Sequence, residues 1–595
     1  MNLFRKLDTG KVLMIFFGTV SFLFFGLFYG QHLYRLEQLQ LFEVTFQYLL
    51  SHLSVQGGFI MWIGELLVQF FRIPLAGAFI ITVLLLLLQN YTYKILRHSG
   101  NNSALLIVIS FLPSAAYWIL LTIDFYCISG VVGLVLSLAW VNYYLKITGR
   151  RKRIITLLVI ISVLYWLAGA SYLVFASCVF TREMMLIIGG KKEQRTTGLP
   201  LALILALLLS LGLPLLARKF IFYDTLLQSF VSEAYYQIRI FFPLPLILIF
   251  SFYPLAIIIR NSLHIRMSER QYDISTVILL VLLISFFAGG VFKYADFGRE
   301  KEIRYENLVY NKKWDKIIRI AEKEKPESAM SIVAVNLALA KTGRLSSEML
   351  RFNQNSKSLF LNYYREGMTP FIASEPFYYM GFINFAQMFA METVESTVDA
   401  RYPSRSFRRV AETFILNGQY DIARKYLVPL SHTLFYRRWA NDCLASLGKE
   451  NEIDSHPEWR ELRLSRPASD FYFNFNQMDR EMQMLLKSNQ RNRVAFEYLM
   501  GYYLLNKNFD GFLLNIHLAK MMNYREMPLV FQEAAVFINS VSPETPPQLL
   551  NFPVKNIVTN NFRSFSDICN KSGNDAKVKT SRDFGKTYWY YIDFK

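Results

Sequence analysis

Cysteine is scarce in this chain, four in 595 residues. Cys127 and Cys178 fall in apolar runs, where a thiol acts as a small hydrophobe. Cys443 and Cys569 lie in the more polar second half without framework spacing, and pair only if that half occupies an oxidising compartment. The seven histidines (His32, His52, His98, His264, His432, His456, His517) form no HExxH pattern and no cluster with cysteine, which speaks against protein-bound zinc. Neither GxxxxGKS/T nor GxGxxG follows a strand-like run, which speaks against a nucleotide fold. Acidic residues are in the minority, 45 against 64 basic ones, for a formal net charge of +19. In a soluble chain that excess would suggest a nucleic-acid partner. Here much of it sits in short loops between apolar runs, where basic residues set membrane orientation, so no nucleic acid is expected.

What the chain has in abundance is apolar sequence, 53% of its residues, with aromatics at 16%. MNLFRKLDTGK is a short basic lead, and VLMIFFGTVSFLFFGLFYG after it is long enough to cross a hydrocarbon core of about 30 Å. Bulky QHLYRLE follows in place of a cleavage site, so this reads as an uncleaved span with a cytoplasmic N-terminus. Further runs near 74–93, 104–123, 125–145, 154–169, 172–189, 199–216, 241–259 and 276–294 bring the expected total to nine spans. The basic sets Lys94, Arg97 and His98; Lys146 and Arg150 to Arg153; Lys191, Lys192 and Arg195; and Arg260, Arg266 and Arg270 all read as cytoplasmic. The alternate connections, 31–72, Asp124, Gly169-Ala170-Ser171 and 217–240, then face outward. Everything beyond residue 295 is expected in the periplasm of a two-membrane bacterium. A second reading of 154–190 makes Thr181, Arg182 and Glu183 the outer end of one long span and inverts all that follows. The split is preferred because 37 helical residues greatly exceed a bilayer.

The chain therefore reads as all-α: a polytopic transmembrane domain, 1–298, and a soluble helical domain, 299–595. In the second domain Tyr305 and Leu308, a turn at Asn311 to Trp314, then Ile317, Ile318 and Ala321 before Pro326 describe two antiparallel helices. Similar pairs turn at Thr342-Gly343-Arg344, at Asn417-Gly418 and at Asn506-Lys507-Asn508. Small and aromatic residues about these turns are similar to tetratricopeptide repeats, which predicts an α-solenoid that binds protein or peptide.

The segments EQLQLF (37–42), QGG (56–58), QFF (69–71), VNLALAKTG (335–343), LNGQYDIARKYL (416–427), RRWA (437–440) and TYWYY (587–591) resemble an uncharacterised family of Bacteroidetes multi-pass membrane proteins with a repeat-like tail. That resemblance implies an inner-membrane, Gram-negative setting and no particular chemistry. A first span, a long external loop carrying acids, many further spans and a repeat tail on the outer face also resemble the C-type glycosyltransferases that use polyprenyl-phosphate sugars. Those enzymes place acids in the first and second external loops to orient an acceptor hydroxyl or hold a divalent cation beside the donor phosphate. The matching positions here are Glu37, Glu43 and Asp124, with Arg72, Arg182 and Arg239 as candidate contacts to substrate or lipid phosphate; metal ligands are left open.

Each site residue also has a plainer reading. Glu37 and Glu43, six apart on one helix, project on different faces and read equally as solvated polar positions. Asp124 reads as a helix cap, Arg72 as an interfacial anchor, and Arg182 with Glu183 as an intramembrane pair compensated by neighbouring helices. Glu233 and Arg239 read as a solvated face, and Tyr34, Tyr48 and Trp62 as an interfacial aromatic belt. Two functions follow: a glycosyltransferase-like enzyme, or a non-catalytic scaffold for envelope assembly whose tail binds proteins.

Overall fold

The computed structural model describes residues 9–97, 104–124, 126–189, 199–222, 224–236, 244–262, 269–361, 369–396, 402–467 and 473–595. Among these the chain is helical throughout, apart from an isolated bridge between Tyr126 and Tyr236. It divides into two compact units, one built from residues up to Glu300 together with His432–Phe435, the other from most of the remainder.

The helices of the first unit are α1 (Thr9–Leu23, continued by a π turn over Phe24–Phe28), α2 (Gly30–Gln38), α3 (Phe46–Leu53), α4 (Gly58–Gln69), α5 (Pro74–Leu96), α6 (Ala104–Ser110), α7 (Leu112–Leu120) and α8 (Ile128–Tyr144). They continue as α9 (Arg150–Ala168), α10 (Tyr172–Gly189), α11 (Leu199–Phe220), α12 (Leu226–Phe230), α13 (Leu244–Ser262) and α14 (Glu269–Tyr294). Five stretches are long and apolar enough to cross a membrane: Gly10–Phe28, Pro74–Leu96, Arg151–Ile188, Leu201–Phe220 and Asp273–Tyr294. Ala104–Leu120, Ile128–Tyr144 and Leu244–Arg260 are apolar but shorter.

Arg151–Ile188 is not a single rod. Gly169 adopts φ +53° and ψ −138°, a backbone open to glycine alone at little strain, and reverses the chain. Arg153 at the start of α9 consequently lies 3.5 Å from Glu183 near the end of α10. The break expected at Gly169-Ala170-Ser171 is therefore present, as a short 3-10 turn. A second glycine makes it compact: Gly57, also left-handed at φ +71°, packs against Gly169 so closely that a Cβ on it would stand 3.1 Å from the Gly169 Cα.

Hydrogen bonds between distant connections gather alternate helix ends at one end of the unit. Tyr29 Oη donates to Thr122 O (3.0 Å), the Gly57 N–H to Trp166 O (2.8 Å), Gln56 Nε2 to Ser229 O (3.1 Å) and the Cys127 N–H to Tyr235 O (3.2 Å). At the other end Arg260 Nη1 donates to Ile95 O (3.3 Å), and Glu183 meets Tyr144 and Arg153.

In the second unit α15 (Phe297–Tyr310) and α16 (Trp314–Glu324) flank the turn expected at Asn311 to Trp314, with Tyr305, Ile317, Ile318 and Ala321 buried as the spacing requires. α17 (Ala329–Lys341) and α18 (Leu345–Glu348) flank Gly343. After α19 (Thr369–Met380) and α20 (Ile383–Ser396), α21 (Ser404–Leu416) and α22 (Tyr420–Ser431) flank Gly418. Arg493–Leu505 and Phe509–Asn515 flank Lys507, and Gly343, Gly418 and Lys507 all have positive φ. The TYWYY segment opens the last helix, Tyr588–Phe594, where Tyr588, Trp589, Tyr590 and Tyr591 are buried; Tyr588 Oη and Tyr591 Oη donate to Leu504 O and Leu505 O at 2.9 and 2.8 Å. Cys443 and Cys569 are free thiols on separate helices.

Candidate functional site

The loop from 30 to 72 folds as α2, an extended stretch, α3, α4 and a 3-10 turn ending at Arg72. An amphipathic loop at a membrane surface would expose its charges. This one buries His32, Arg35, Glu37, Gln38, Gln40, Glu65 and Gln69, so the polar side of the loop faces protein.

Three polar clusters result. The first is at the start of α2, where the Gln31 and His32 N–H groups donate to the two oxygens of Glu300 at 2.6 and 2.9 Å. An anion there meets unsatisfied N–H groups and the positive end of the helix dipole. His32 Nδ1 then stands 3.1 Å from Asp124 Oδ1, and Arg299 Nε 3.8 Å from its other oxygen. Burial alone would raise the Asp124 carboxyl. The hydrogen bond and charge of His32, with Arg35 and Arg299 near, hold it well below the usual carboxylate range. Asp124 is thus neither a bare cap nor exposed: it is a fixed anion.

The second cluster centres on Glu37, whose side chain is 0% exposed and whose Oε1 is 3.7 Å from Arg72 Nη1. Burial removes the solvated-face reading of this residue, and Arg72 reaches inward to the carboxylate. His32 and Glu37 are five positions apart on α2, about 7.5 Å and 140° around its axis. The helix therefore serves Asp124 and Glu37 from different faces. Glu43 is not on this helix at all; it lies in the extended stretch after it, 3.1 Å from Nδ1 of His432, a residue of the same compact unit.

The third cluster has no counterpart among the residues expected from sequence. Glu65 on α4 accepts from Tyr48 Oη at 2.6 Å and lies 3.1 Å from His52 Nε2, while His52 Nδ1 is 2.9 Å from Tyr48 O. A carbonyl oxygen can only accept, so Nδ1 carries hydrogen. Nε2 then faces a carboxylate oxygen across a hydrogen-bond distance, which requires one proton between them. Tyr48, His52 and Glu65 form a proton-holding triad on two short helices. The signal in the sequence was a single acid inside the apolar run GFIMWIGELLVQ.

Arg182 lies away from these clusters, on α10 beside Glu183. Arg239 and the side chain of Glu233 fall outside the described residues. Among the described residues no three His, Cys, Asp or Glu side chains gather as metal ligands. Glu37, Glu65 and Asp124 each face a basic or phenolic group instead of one another. What the loop offers chemically is a fixed anion, a buried carboxylate with a guanidinium, and a shared proton.

No curated protein and no solved structure matches the chain. Residues 5–595 match a single family, described as "Family of unknown function (DUF6057)", and the chain belongs to that family.

Proposed function

We propose that this protein is a glycosyltransferase-like enzyme of the bacterial inner membrane, moving a sugar from a polyprenyl-phosphate donor to an envelope glycan or protein. The observation that carries the reading is that Glu37, Glu65 and Asp124 are all drawn into polar clusters around one external loop. A charge removed from water is unfavourable unless paired, and an anchor needs none of them. In this reading the chain crosses the membrane nine times, the N-terminus is cytoplasmic, and residues 299–595 form a periplasmic tetratricopeptide-like solenoid that presents the acceptor.

Arg72, partly exposed beside Glu37, supplies a guanidinium for the donor phosphate. Asp124, held ionised, orients the acceptor hydroxyl. As the acceptor oxygen bonds to the sugar and the sugar–phosphate bond breaks, the hydroxyl proton passes to the Glu65–His52 pair. The test is complementation of a deletion strain after its envelope glycans have been profiled. Glu65→Gln, Glu37→Gln and Asp124→Asn should insert normally and fail to restore the missing glycan, with rates lower by roughly 10²- to 10⁴-fold for the proton-transferring residue. An unchanged glycan profile in the deletion, or full complementation by all three, defeats the reading.

The alternative is a non-catalytic scaffold for envelope assembly whose tail binds proteins. A cleft in the second unit favours it: Arg405, Arg408 and Arg409 line up on α21 with Tyr310, Phe371 and Glu412 about them. The arginines are paired with Glu306, Glu375 and Glu412, and a wall of paired guanidiniums between aromatic rings suits an aromatic peptide.

A further inference from the structure

The end of the first unit remote from α2 holds another polar cluster, set among apolar helices. Arg153 is in the first turn of α9, Arg182 and Glu183 are on α10, and Arg260 is in the last turn of α13. Glu183 is 1% exposed, accepts from Tyr144 Oη at 2.9 Å and faces Arg153 Nη1 at 3.5 Å. One carboxylate is thereby matched to one arginine. Arg182 is next to Glu183 on α10, which packs against α13, the helix that carries Arg260. Arg260 Nη1 donates to the Ile95 carbonyl, at 3.3 Å, near the end of α5.

Among the described residues Glu183 is the carboxylate of this cluster, set against Arg153 and next to Arg182, while Arg260 adds a further guanidinium at the same end. All three arginines are partly buried, and Nε of Arg153, of Arg182 and of Arg260 is shielded from solvent and makes no hydrogen bond among the described residues. Guanidiniums drawn together in an apolar setting repel unless an anion lies among them. The forked donors of arginine match phosphate oxygens two at a time. Along α10 the side chains of Phe180, Met184 and Ile188 are exposed, an apolar strip suited to acyl chains beside the charged end.

We propose that Arg153, Arg182 and Arg260 form a site for the phosphate headgroup of an anionic membrane lipid. The test is native mass spectrometry of the full chain in detergent with phosphatidylglycerol or phosphatidylcholine of equal chain length. Phosphatidylglycerol should be retained preferentially, and Arg182→Gln and Arg260→Gln should each reduce its retention roughly fivefold, as expected for one lost basic contact. Arg182→Lys should lose less. Equal retention of the two lipids by the wild-type chain overturns the proposal without any variant. So does retention unchanged in both glutamine variants, or displacement of the lipid by millimolar inorganic phosphate, which would make free phosphate the ligand.

Discussion

Glu533, on Leu529–Val541, is buried and accepts the Tyr588 N–H at 2.9 Å. Burial pushes its carboxyl up to about 8 from an ordinary 4.5, against a smaller pull from that hydrogen bond. The folded chain therefore keeps a proton that the unfolded chain has released across this interval. The contribution of Glu533 to stability is greatest below 4.5 and declines as pH rises to about 8. Glu533→Gln should raise the melting temperature of the purified chain at pH 8.5 and leave it nearly unchanged at pH 4.5; equal shifts at both would show that ionisation is not the cause. At this scale the sequence was only partly readable. Glu65 stands out as one acid in an apolar helix. Its partner His52, thirteen positions earlier, does not, because their meeting depends on how 54–57 reverses the chain. Glu37 was visible as a candidate but not as a buried one, since burial is decided by what covers α2.

The α9–α10 hairpin shows the same division among elements. Its turn was legible because Gly-Ala-Ser interrupts an apolar run too long for one helix. The closeness of Gly57 to Gly169 was not, because it joins loops over a hundred residues apart. A Cβ at Gly169 would meet Ser232 Cβ at 2.6 Å and force a left-handed backbone on an L side chain. Gly169→Ala should destabilise the chain by on the order of 2 kcal/mol or more. Gly149, with nothing within 4 Å of a built Cβ and an ordinary φ of −77°, is the control: Gly149→Ala should shift stability by no more than about 0.5 kcal/mol. Thermal denaturation in detergent reads both, and equal losses would show that the Gly169 geometry is immaterial. The tail turns at Gly343, Gly418 and Lys507 were legible from local signals alone. The extended stretch carrying Glu43 was not, since its residues look helical in isolation.

For the whole molecule, the hydrogen bonds joining Tyr29 to Thr122 and Gly57 to Trp166 tie together connections far apart in the sequence, and the alternation of basic loops gives an orientation that can be tested. Alkaline phosphatase fused after Phe297 should be active, and green fluorescent protein at the same point dark; the reverse result would overturn the nine-span orientation. How the loop's buried groups group into clusters was beyond the sequence, because each cluster draws on segments separated by many residues. The Arg153–Glu183 pair has a consequence for biosynthesis. A lone acid in an apolar segment disfavours entry into lipid by about 2.5–3.5 kcal/mol at mid-membrane, less toward the edge. Its partner belongs to the preceding helix. In the nine-span reading proposed above, α9 and α10 enter the bilayer together, as a closed pair whose opposite charges are already joined.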